Sequence, residues 1–145
     1  MPMDRINWLA VIVGAIVYFL FGWVWYGLLF SKQWLAYEGR TQMTQDLTPL
    51  VISAIVALIL SFGVAVALSH DDNRTAAHGA QFGIFFGLFF MASTMLQGNA
   101  YEGRPLGLWA INAGYEVIGL VLLGLLHGGW KKAPAAEAVK PAGGA

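Results

Sequence analysis

The sequence predicts an all-α membrane protein: four transmembrane helices arranged as two helical hairpins repeated in parallel. Three observations carry this prediction. Of 145 residues, 58% are hydrophobic and only 11% charged, where a soluble domain carries about 25% charged residues. Four long stretches lack acidic and basic side chains or nearly so. One eight-residue motif occurs twice, each time after an odd-numbered stretch.

Residues 6–31, 47–69 and 79–100 contain no ionisable acid or base, and residues 105–130 contain only Glu116 and His127. A helix of about 20 apolar residues crosses the hydrocarbon core. The spans are therefore expected at about 7–30, 48–69, 78–99 and 106–128. The first stretch exceeds the roughly 7–15 apolar residues of a signal core. It ends in Trp23, Trp25, Tyr26 and Phe30 rather than small residues, so it reads as a retained span. Residues 1–130 then form the transmembrane domain. The Ala-, Pro- and Gly-rich tail, 131–145, is expected to be disordered.

Orientation follows from the basic residues. Arg5, Arg74, Lys131, Lys132 and Lys140 fall on the side of the chain ends, against Lys32, Arg40 and Arg104 on the other. The positive-inside rule then puts both termini in the cytoplasm. Trp25, Tyr26, Trp34, Tyr37 and Tyr101 would form the outer aromatic belt.

The duplicated motif is QWLAYEGR at 33–40 and QGNAYEGR at 97–104, with six of eight positions identical at a spacing of 64. Because each copy follows an odd-numbered span, both lie on one membrane face, which makes the halves parallel rather than inverted repeats. Residues 41–48 have no counterpart before the fourth span. Two readings of the motif stand side by side. It is a loop closure with solvated charges, or Tyr37, Glu38, Arg40, Tyr101, Glu102 and Arg104 form a paired polar mouth for a ligand, ion or partner.

Inside lipid, helices meet where small residues let backbones approach. Gly79, Gly83 and Gly87 repeat every fourth residue in the third span, with Thr94 and Gly98 expected to extend that face. Phe82, Phe85 and Phe89 lie opposite and should face lipid or another protomer. Ser53, Ala57, Ser61 and Ala65 draw the same pattern in the second span.

The fourth span carries a sparse polar stripe. Glu116 stands about 15 Å into it, near the midplane, where a charged carboxylate costs at least about 2.5 kcal/mol. Asn112 precedes it by one turn, and His127 follows three turns later, rotated by only about 20°. Glu116 is either interhelical glue, bonded to Asn112, Tyr18 or a serine, or a proton or cation site.

Other chemistry finds little support. There is no cysteine and the formal net charge is zero, so thiol chemistry is excluded and nucleic acid is not an expected partner. His70, Asp71 and Asp72 are adjacent, and three consecutive residues rarely converge on one metal. No nucleophile elbow, metal set or cofactor motif occurs, so no cofactor is expected and an enzyme is the least supported class.

Two blocks resemble a known family. Asn7 and Trp8 open a span that runs to Gly22, Trp23, Val24, Trp25 and Tyr26, with Phe30 and Trp34 beyond. The second block runs YEGRPLGLW from Tyr101 to Trp109 and continues through Ile111, Asn112, Ala113, Gly114 and Tyr115. Together they are similar to bacterial membrane proteins called the domain of unknown function 1761 family, over nearly the whole chain up to Trp130. The family pattern often has Asp at the position of Asn112 and His at that of Glu116. This chain therefore keeps a polar pair one turn apart but changes its chemistry. The resemblance implies a bacterial inner-membrane protein and supplies no activity.

The expectation is a small-molecule, lipid or ion binding or transport unit acting as an oligomer, with membrane lipids and further copies as partners. The alternative is a structural or accessory subunit of a larger membrane complex. The predicted topology has a direct check. A cysteine at Thr41 should react with an impermeant thiol reagent applied outside the cell, whereas labelling confined to cysteines in 71–75 would invert the orientation.

Overall fold

The computed structural model describes residues 3–134, so the tail expected from residue 131 lies outside the described residues from 135 onward. After a single turn at Met3–Arg5, six α-helices follow. They are α1 (Trp8–Trp23), α2 (Ser31–Glu38), α3 (Thr48–Leu68), α4 (Ala76–Phe86), α5 (Ser93–Tyr101) and α6 (Leu106–Gly129). Two π-helical segments, Val24–Leu29 and Gly87–Ala92, continue α1 and α4. Among the described residues four helices are long and apolar enough to cross a membrane: Trp8–Leu29, Thr48–Leu68, Ala76–Tyr101 and Leu106–Gly129. One pole of the bundle carries residues 3–7, the 69–75 turn and residues 130–134, and is called the terminal pole below. The other carries both Tyr-Glu-Gly-Arg segments and is called the motif pole.

Local chemistry sets the boundaries. Asn7 caps α1 by accepting the Ala10 N–H at 3.2 Å, and Thr75 caps α4 by accepting that of His78 at 3.2 Å, each meeting a donor that the first turn leaves free. Gly39 and Gly103, with φ of 66° and 65°, follow α2 and α5 in the left-handed conformation that glycine adopts without a steric penalty. They are equivalent residues of the duplicated motif.

The tightest contact is between α4 and α6. A methyl group on Gly79 would overlap the backbone carbonyl of Gly124, and one on Gly124 would overlap that of Gly79. Gly83 lies against the backbone of Leu120 and Val121, Gly87 against Val117, and Gly128 against Thr75 and Ala76. Ala57 and Ser61 of α3 are fully buried, with Val64, Ala65 and Leu68 continuing toward the terminal pole. Ile6, Val11 and Ala65 close that end.

Three sequence expectations need correction. Ser53 is exposed, as is every side chain from 47 to 56, because α3 leaves the bundle toward the motif pole. Its hydroxyl donates to the Pro49 carbonyl of its own helix at 2.7 Å. Thr94 and Gly98 are also exposed. The π segment inserts one extra residue per turn, so the buried series 79, 83, 87 moves on to Ala92 and Asn99 instead. Phe82 packs partly against the core, while Phe85 and Phe89 face outward.

These faces predict unequal tolerance. Gly83→Leu should destabilise the protein by about 1–3 kcal/mol or prevent folding, since the added atoms meet backbone. Phe85→Leu should unfold within about 0.5 kcal/mol of wild type. Thermal unfolding in detergent measures both, and equal stability would refute the assigned seam.

Candidate functional site

The polar stripe of α6 faces the first and second spans, and each of its members meets a hydroxyl. The Tyr26 hydroxyl donates to Asn112 Oδ1 at 2.9 Å, and the Tyr18 hydroxyl to Glu116 Oε2 at 2.9 Å. His127, 3% exposed, brings Nε2 to 2.9 Å from Ser61 Oγ. Ser61 also lies 2.8 Å from the Val11 carbonyl. A carbonyl only accepts, so the single serine proton points to Val11. His127 Nε2 must then carry a proton and donate it to Ser61. Among the described residues no buried side-chain nitrogen or oxygen lacks a partner, as a low-dielectric interior requires.

Aromatic rings pack around this stripe on glycines. The Tyr18 ring lies over Gly119, Trp25 over Gly114 and Tyr115 over Gly22. Tyr115 stacks on Phe21 with centroids 5.5 Å apart and lies 5.1 Å from both Tyr18 and Tyr26. Trp25 Nε1 donates to the Ile111 carbonyl at 3.0 Å. Trp25 and Tyr26, expected in the interfacial belt, thus turn into the bundle, because the carbonyl and Asn112 satisfy their polar tips there.

The duplicated motif is brought together at one pole. Arg104 bridges two carboxylates: Nη1 lies 3.1 Å from Glu38 Oε1 of the first copy, and Nε lies 2.7 Å from Glu102 Oε2 of its own. The Glu38 side chain is only 17% exposed. The Asn99 amide holds the turn by donating to the carbonyls of Arg104 and Pro105. Tyr37 covers Gly107. Arg40 forms no ion pair among the described residues, and Tyr101 is 88% exposed. The mouth is therefore an ion-paired corner built mainly by Glu38, Glu102 and Arg104.

A cleft of about 520 Å³ opens between the first and second spans, where α3 diverges. Phe19, Trp23, Tyr26, Leu50 and Tyr115 line it, together with Gly22 and Gly27. Met43, Thr44, Asp46 and Ser53 stand around it toward the motif pole. Neither Glu116 nor the motif residues line it; Tyr26 and Tyr115 separate it from the stripe. Sequence reasoning missed this cleft, though one signal was present. Three of its residues belong to 41–48, the segment without a counterpart in the second half.

Asp46 Oδ1 accepts the Thr48 N–H at 2.9 Å and the Thr48 hydroxyl at 2.8 Å. These bonds hold its carboxyl below the usual carboxylate range. At neutral pH the rim of the cleft is anionic.

A family model described as "Protein of unknown function (DUF1761)" matches residues 9–128. No curated protein and no solved structure gives a match.

The Tyr18–Glu116 bond has a measurable consequence. Tyr18→Phe leaves the carboxyl without its donor and should cost about 1–3 kcal/mol. The double variant Tyr18→Phe with Glu116→Leu should recover part of that loss, because both polar partners are then gone. Thermal unfolding of the single and double variants in detergent gives the coupling, and additive losses would show that the bond contributes nothing.

Proposed function

Since the chain belongs to the DUF1761 family, described only as of unknown function, its own residues have to supply a role. We propose that it is a membrane-embedded binding unit for an amphiphilic small molecule or lipid with a cationic end. The observation that carries this reading is the cleft between the first and second spans. Its volume lies within the roughly 300–1,000 Å³ of small-molecule sites. Aromatic and aliphatic walls with a few polar groups at one end suit an apolar body and a polar head. Asp46 supplies a fixed negative charge, and the exposed Trp23 offers a ring face that attracts a cation.

The reading includes assembly. A single bundle leaves the half-span 47–56 uncovered, and a second copy packed along it would enclose the cleft and give the ligand a path along a symmetric assembly. The same uncovered half-span supports the alternative, an accessory subunit that docks this face on a larger membrane complex. Cytoplasmic termini remain part of this proposal, resting on the distribution of basic residues along the chain, as does the inner-membrane location that the family resemblance implies.

Mass spectrometry of the protein extracted in native lipid separates the readings. A retained amphiphile supports the binding unit, a stoichiometric foreign polypeptide the accessory subunit. Ser53→Phe adds a ring at an exposed position, so it should leave thermal stability unchanged while weakening binding of a fluorescent hydrophobic cation at least about tenfold, or about 1.4 kcal/mol. Asp46→Asn should weaken it comparably. Because the folded-state pKa of Asp46 is lowered, its charge persists above the ordinary carboxylate range and is lost only as pH falls through the depressed value. Binding to wild type should therefore be flat across pH 5–8, and an unchanged affinity in both variants would sink the reading.

A further inference from the structure

The basic residues of the terminal pole do more than bias topology, because the fold draws four of them to one place. Arg5 precedes the first span, Arg74 lies in the turn between α3 and α4, and Lys131 and Lys132 follow α6. All four line a cavity of about 470 Å³, together with Asp4 and Asp72.

Their charges are unevenly met. Arg5 Nη1 pairs with Asp72 Oδ1 at 2.8 Å. The other three are satisfied by backbone alone. Lys131 Nζ donates to the Asp72 carbonyl at 2.9 Å and Lys132 Nζ to the Asp4 carbonyl at 2.6 Å. Arg74, 7% exposed, donates from Nε to the His127 carbonyl and from Nη1 to the Asp71 carbonyl, both at 3.2 Å. A carbonyl oxygen takes a hydrogen bond without cancelling a charge. Among the described residues none of these three cations forms an ion pair; of the two acids in the lining, Asp72 pairs with Arg5 and Asp4 is unpaired, while the Asp71 carboxylate lies 3.6 Å from His78.

We propose that this cavity binds a phosphate-bearing anion. The guanidinium donors of Arg5 and Arg74 that these bonds leave free suit phosphate oxygens, and the lysine ammoniums act as point charges on the others. The cavity sits at the ends of the first and fourth spans, the depth of lipid headgroups, where basic pockets between transmembrane helices hold anionic lipids. It is separate from the cleft and independent of the role proposed for it. The buried Arg74 guanidinium is fixed by two carbonyls before any ligand arrives, so part of the site is already organised.

The test uses the full chain in phosphatidylcholine nanodiscs, titrated with phosphatidylglycerol or with inorganic phosphate. Thermal stability and lipid retained in native mass spectrometry are the readouts. Phosphatidylglycerol is expected to raise the unfolding temperature and stay bound. Its midpoint should weaken about fivefold in Lys131→Gln and in Lys132→Gln, and should not move in Lys32→Gln, which removes the same charge at the motif pole. Stabilisation by phosphatidylglycerol alone assigns a lipid headgroup, while equal stabilisation by inorganic phosphate assigns the free anion. Two results overturn the site: neither probe stabilises the protein, or Lys32→Gln weakens binding as much as the two terminal-pole variants.

Discussion

The backbone contact between α4 and α6 is the constraint on which the rest of this bundle depends. Hydrocarbon offers helices no hydrophobic drive to associate, so contact must come from close packing and hydrogen bonds. Gly79 and Gly124 bring two main chains together with no side chain between them. Once α6 is held on that face, its other faces are fixed in rotation. Gly114 and Gly119 then turn toward the first span and receive Trp25 and Tyr18. Large rings on one helix and bare backbone on the other are two halves of one fit.

That rotation also settles where polarity can reside. Asn112, Glu116 and His127 all face helices bearing hydroxyls rather than lipid. Interhelical hydrogen bonds in membranes average only about 0.6 kcal/mol, so three such bonds are a modest source of affinity. Their larger effect is selective. A rotated α6 would strand an amide, a carboxyl and an imidazole in hydrocarbon, each costing several kcal/mol.

Much of this was legible from residue type. Span lengths follow from the charge-free runs, and the Gly79, Gly83, Gly87 seam from the need for close approach. Tyr18 stood among the partners considered for Glu116. The misread positions have a shared cause: periodicity describes one uninterrupted helix at a time. It could not show that a π turn displaces Thr94 and Gly98 from the seam, or that α3 departs and leaves Ser53 bare. Nor could composition tell Tyr26, satisfied by Asn112, from a belt tyrosine at the interface. The cleft depends on two helices diverging, which neither helix encodes alone, and only the unmatched residues 41–48 pointed toward it.

The first and third spans each contain a π segment, beginning at Val24 and at Gly87, 63 residues apart. Each works as a phase slip, a place where the angular count of the helix restarts one residue late. Residues before and after it obey the same period with different origins. A small-residue pattern counted straight through either span is therefore out of step beyond the slip by about 100°, the angle of one residue. Position-by-position comparison of another chain with this one holds on both sides only if that chain slips at the same turn. Otherwise a lipid-facing residue in one is being matched with a seam residue in the other.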